Sequence, residues 1–143
     1  MSGPGPVALD RRSVALVAVG GALGAVVRTG LAERFPTPAH RFPVTILAVN
    51  LTGALLLGLL MGLVARRERD TWRRPFLAVG VLGGLTTFST LCVDAARLTA
   101  TGDAGLAGLD LLVSAVGGVV AVALGVAIAS GGRAHHPADE GEA

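Results

Sequence analysis

Lysine and tyrosine are absent from this 143-residue chain, and tryptophan and cysteine occur once each. The single Cys92 excludes an intramolecular disulfide, and with no histidine near it in the sequence it reads as a packing residue. Charge is also scarce, at 15% of residues against the roughly 25% usual for soluble domains. A soluble helical protein of this length would need far more charge on its exposed faces. A formal net charge of +2 gives no support for a nucleic-acid partner, and none is expected. No metal-spaced His/Cys cluster, phosphate-binding loop or Ser–His pairing is visible, so the sequence does not read as an enzyme. His40, His135 and His136 fall in a linker or the tail, where solvation is the default.

What remains is apolar and small. Just over half the residues are hydrophobic and 21 are glycine, about twice average usage. That mixture suits closely packed membrane helices, where small residues let backbones approach. The chain divides into a Gly/Pro-rich lead at 1–12, an all-α membrane domain at 13–131 and a polar tail at 132–143. Four apolar segments, approximately 13–33, 43–65, 75–99 and 105–131, each reach the ~20 residues that span a bilayer. The lead lacks the early basic region of a cleaved signal peptide. Four spans put both termini on one side. Arg11, Arg12, Arg66, Arg67, Arg69, Arg73, Arg74 and Arg133 lie on that side, against Arg34, Arg41, Arg97 and at most Arg28 on the other. The positive-inside bias therefore points to cytoplasmic termini in a plasma (inner) membrane.

Polar residues within the spans mark the candidate site. In the third span, Gly80-Val-Leu-Gly83-Gly84-Leu-Thr86-Thr87-Phe88-Ser89-Thr90 combines glycines that weaken a helix with a run of hydroxyls. Irregular backbone is tolerated at membrane depth only where it is buried in protein or lines a hydrated path. The expectation is a helix broken at Gly83–Thr86, with carbonyls released at the break. In the first span, Gly20 and Gly24 form a packing seam, with Arg28 on the same face. In the second, Asn50 lies roughly 12 Å into the helix and must be hydrogen-bonded, to another helix or to something passing. Ser114 in the fourth span, taken alone, would bond back to its own helix. Asn50, Thr86, Thr87, Ser89, Thr90 and Ser114 are neutral donors able to replace an anion's water, and released carbonyls are suited to a cation. Asp94 and Asp110 are costly at membrane depth unless they meet water or a partner.

These three motifs, Gly20–Arg28, Asn50-Leu-Thr-Gly53 and Gly80–Thr90, together resemble the small four-helix bacterial fluoride channels known as the Fluc or CrcB family. The resemblance covers roughly residues 14–130. It implies an antiparallel, dual-topology-type dimer with two fluoride paths and a structural Na⁺ at its centre. The Na⁺ would rest on the backbone carbonyls of Gly83 and Thr86 from both subunits. Asn50, Phe88, Ser89, Thr90 and Ser114 would line the fluoride path, with Arg28 near its polar mouth. The implied function is passive efflux of cytoplasmic fluoride, and so fluoride resistance, with fluoride and membrane lipid as partners. The family's usual second phenylalanine is Leu91 here, the usual serine after it is Cys92, and a common tyrosine is Asp110. Loss of a ring and a hydroxyl predicts one weakened path. With the arginine bias, this leaves homodimer and heterodimer with a paralogous subunit both open. The alternatives are a proton-coupled small multidrug-type transporter, for which the first span lacks a mid-membrane carboxylate, and a non-transporting partner subunit.

Overall fold

The computed structural model describes residues 10–38, 40–64 and 72–131. Four helical segments among them are long and apolar enough to cross a membrane. The Gly/Pro-rich lead up to residue 9, the arginines Arg66, Arg67 and Arg69, and the tail with Arg133, His135 and His136 lie outside the described residues.

Helix α1 (Arg11–Arg34) begins two residues before the predicted span because Asp10 caps it, its carboxylate accepting from the Arg12 amide at 3.3 Å. Arg34 closes the last turn, where a cation complements the helix dipole. Helix α2 (Val44–Val64) follows Pro43, whose carbonyl accepts from the Leu47 amide at 3.1 Å. The third span is not one uniform helix. Its first part, α3, comprises a π-helical stretch Arg74–Leu82 that passes into a single α-turn at Gly83–Leu85. Its second part, α4 (Phe88–Ala100), starts after two extended residues. The last span is α5 (Ala104–Ser130). A Schellman turn joins α4 to α5. The Asp103 amide donates to the Leu98 carbonyl at 2.8 Å and the Gly102 amide to that of Thr99 at 3.1 Å. Gly102 takes φ +90°, which only glycine adopts cheaply.

Packing is interleaved rather than sequential: α1 lies along α3, and α2 lies along α5, while α1 and α2 barely touch. Glycine sets the first crossing. A Cβ on Gly24 would sit 2.7 Å from the Leu85 amide nitrogen, and one on Gly80 would sit 3.0 Å from the Gly20 Cα. The predicted Gly20–Gly24 seam is thus a real helix crossing, and it meets a matching Gly80–Gly84 seam on α3, a pairing that no pattern in the sequence marks. The second crossing uses Gly58 and Gly125. A Cβ on Gly125 would meet the Leu59 amide nitrogen at 2.6 Å.

The outward faces are apolar. Val26, Val119, Leu112 and Ile128 are all more than half exposed, as expected of surfaces that meet lipid or another protein rather than water. Cys92, read from the sequence as packing, is exposed on α4 in the single chain. Among the described residues the fully sealed side chain is not a hydrophobe but Asp110, at 1% exposure.

Candidate functional site

The break is displaced from where the glycines predict it. Gly83 and Gly84 remain helical, and the extended residues are Thr86 (φ −82°, ψ 148°) and Thr87 (φ −146°, ψ 125°). The glycines serve close approach instead, since a side chain on Gly84 would run into the backbone of Gly21. What holds the break open is Asn50. Its Nδ2 donates to the Thr87 carbonyl at 3.0 Å, and its Oδ1 accepts from the Thr87 amide at 2.9 Å. One amide side chain thus satisfies both backbone groups of one extended residue, and donor–acceptor complementarity fixes which way the amide faces.

This clamp diverts the Thr87 amide away from the carbonyl of Gly83, its helical partner four residues back. In the same way, the Thr90 amide is taken by Thr87 Oγ1 at 3.2 Å, which releases the carbonyl of Thr86. The Thr86 hydroxyl bonds back to Leu82 at 2.9 Å, so Thr86 offers its carbonyl and not its side chain. Arg28 Nε donates to the carbonyl of Gly84 at 3.3 Å. The half-buried guanidinium therefore caps the end of α3 rather than snorkelling to the headgroups.

Thr87 is also the hub of a hydroxyl cluster. Its Oγ1 lies 3.1 Å from both Ser89 Oγ and Thr90 Oγ1. A cavity of about 560 Å³ opens on one side of this cluster, walled by Asn50 from α2, Thr86, Thr87, Phe88 and Leu91 at the break, and Ser114 from α5. On the other side is a more polar cavity of about 250 Å³, lined by Thr37, Thr45, Thr90, Asp94 and Arg97. The bonded pair Thr87–Thr90 stands between the two. Arg97 ties the polar cavity together, donating to the Thr37 carbonyl at 3.2 Å and pairing with Asp94 at 3.5 Å. A third cavity of about 380 Å³ between α1 and α2 is almost wholly apolar, with Thr45 and Thr52 as its lining hydroxyls, and Thr45 donates to the Phe35 carbonyl at 2.8 Å.

The structure brings Asn50, Phe88, Ser89, Thr90 and Ser114 to one neighbourhood, with Gly83 and Thr86 at its edge. Phe88 is 76% exposed, so its ring forms an open rim in the single chain. Leu91, where an aromatic ring is common in the resembled family, is buried in the cavity wall. Ser114 contributes to the wall, yet its hydroxyl oxygen is sealed and has no hydrogen-bond partner. In the sequence Thr87 is one of six neutral donors but is not among the residues expected to line the fluoride path. The signal was there: a threonine just before the apolar run of α4 is a helix N-cap, and an N-cap must leave helical geometry.

Comparison with known proteins identifies the family. The family described as CrcB-like protein, Camphor Resistance (CrcB), matches residues 15–126. A Streptomyces avermitilis protein named fluoride-specific ion channel FluC 3 is 47% identical over 121 residues, covering 84% of this chain and 59% of that protein. The Agrobacterium fabrum protein named fluoride-specific ion channel FluC is 45% identical over 81% of this chain and 94% of its own length. That of Novosphingobium aromaticivorans, with the same name, is 42% identical over 83% and 97%. With four spans and a match over most of its length, this multi-pass membrane protein belongs to the CrcB family.

Proposed function

We propose that this chain is a subunit of a fluoride-selective channel, and not an enzyme, through which cytoplasmic fluoride leaves passively. The observation that carries the reading is the hydroxyl pair Thr87–Thr90, 3.1 Å apart, standing between a membrane-depth cavity and a polar one. Fluoride is small and strongly hydrated, so a path must offer neutral donors in place of water without a fixed cation that would trap it. Thr90 takes the ion from the polar cavity, where Arg97 attracts it. Ser89 and Thr87 offer the next hydroxyls, and the second hydrogen of Asn50 Nδ2 is free for the inner cavity. The edge of the Phe88 ring carries partial positive charge and suits an anion.

The released carbonyls of Gly83 and Thr86 have the chemistry to hold Na⁺. They are neutral oxygen donors, and Gly83 is exposed in the single chain, where a second copy can add its own pair. When bound, that ion supplies charge that fixes the break and the dimer around it. An antiparallel dimer, with itself or with a paralogous subunit, also accounts for the uncovered Phe88 ring. The reading places the chain in the plasma membrane, and for a subunit of single topology the arginine distribution favours cytoplasmic termini. A proton-coupled drug transporter fits less well, since the inner cavity has no carboxylate in its wall.

Liposomes loaded with fluoride and carrying this protein, alone or with a paralogue encoded beside it, are expected to release fluoride to an electrode and to retain chloride. No fluoride release in either preparation, or equal release of chloride, would overturn the proposal.

A further inference from the structure

Among the described residues, the buried side-chain oxygens without a hydrogen-bond partner are three: both carboxyl oxygens of Asp110, and Ser114 Oγ. All belong to one turn of α5. Buried polar atoms are otherwise almost always paired, so this cluster requires a reason. Ser114 forms part of the inner cavity wall, whereas Asp110, at 1% exposure, is not in that wall and lies one turn from Ala107, which packs against Ala95 and Leu98 of α4. Ser114 follows Asp110 by four residues on α5, which puts the two side chains on one face of the helix as neighbours, yet no hydrogen bond joins them. The Ser114 hydroxyl is not bonded back to its own helix either, the usual arrangement for a membrane serine.

We propose that Asp110 is a positioning residue of the anion path, whose carboxyl group withdraws or releases the Ser114 hydroxyl according to whether it carries a proton. This inference rests on the fluoride-channel reading above. An ionised carboxylate only accepts, so it takes the Ser114 hydrogen and withdraws that donor from the cavity. It also places a negative charge one helical turn from Ser114, past which an anion must move. A protonated carboxyl donates instead. Ser114 Oγ then accepts, and the serine's own hydrogen is free to turn to the ion. The proton moves between Asp110 and water, and no other bond changes.

Few other charges face this group. From α4 there is Asp94, 8% exposed and paired with Arg97 at 3.5 Å. Helix α2 carries no ionisable residue, and α5 carries none besides Asp110. Asp103, just before α5, is two turns away and meets His40 at 3.7 Å. Among the described residues no cation is therefore paired with Asp110, and a proton is the available partner.

The test is fluoride efflux from proteoliposomes across a pH series, with protein-free liposomes subtracted to remove leakage of HF. Wild-type efflux should fall as pH rises, by up to about tenfold per unit beyond the midpoint. In Asp110→Asn the carboxamide donates at every pH, so the profile should become flat at or above the wild-type low-pH rate. Ser114→Ala should lower the low-pH rate towards the wild-type high-pH rate. An Asp110→Asn profile that parallels wild type overturns the inference, as does a pH-independent wild type. Infrared spectra give a readout free of flux. In the wild-type minus Asp110→Asn difference spectrum, the carbonyl band of one protonated carboxylic acid should appear at low pH above the shared background of the other carboxyl groups, and a difference spectrum without it would refute the proposal. A wild type that passes no fluoride at any pH, with or without a paralogue, refutes the channel reading instead, and the infrared band still decides the state of Asp110.

Discussion

At the scale of single residues, the site depends on one side chain matched to one backbone unit. Asn50 is the right length and the right chemistry to meet both the N–H and the C=O of Thr87. Asn50→Asp retains the shape but sets a second oxygen against the Thr87 carbonyl. Leaving that buried acceptor without a donor costs about 1–3 kcal/mol, enough to close or distort the break. Fluoride efflux should fall at least about tenfold while the protein still reaches the membrane. Unchanged flux in liposomes would remove Asn50 from the mechanism. Asn50 was legible in the sequence as a buried amide needing a partner. Its partner was not, because nothing in residues 43–65 says which backbone group, 37 positions later, will be left extended to receive it.

Elements explain why the glycines and the break separate. Glycine lowers helix propensity, which points to Gly83 and Gly84 as the place where the helix fails. Tertiary packing decides otherwise, because Gly84 must stay helical to fit against Gly21 on α1. The chain then opens two residues later, at threonines whose hydroxyls can cap the new start. Local propensity was legible; the close approach that overrode it was not, since it depends on a helix 60 residues away. The π-helical winding of Arg74–Leu82 likewise has no mark in the sequence. By contrast, all four spans were readable to within two residues at either end, because a bilayer imposes length and apolarity directly. The α1–α3 seam provides a test. In Gly24→Val the added side chain meets the Leu85 amide and the Gly84 backbone, which cannot move aside as a flexible side chain would. Overpacking of about 1–3 kcal/mol or more is expected. It should appear as a lower midpoint in thermal unfolding of the detergent-solubilised protein, and an unshifted midpoint would show that the two helices are not held this closely.

For the whole molecule, the Phe88 rim lies open in the single chain beside apolar faces. The proposed second subunit and cation would cover it. Any ligand that binds only the folded state raises stability, by about 2.7 kcal/mol at a hundred times its dissociation constant. The unfolding midpoint should therefore be higher in Na⁺ than in K⁺ at equal ionic strength. Equal midpoints would argue against Na⁺ on the Gly83 and Thr86 carbonyls.

The interleaved pairing of helices also governs how such a chain can be made. Contacts between neighbours in sequence form early, whereas those between distant segments wait for the chain to arrive. Here α1 waits for α3, and α2 waits for α5, the fourth of the four spans. A ribosome paused before Arg74 has thus delivered two helices to the lipid that have little to offer each other, each showing an unfilled glycine groove. Only when α5 enters does the second groove close, so the four-helix arrangement is completed by its fourth span.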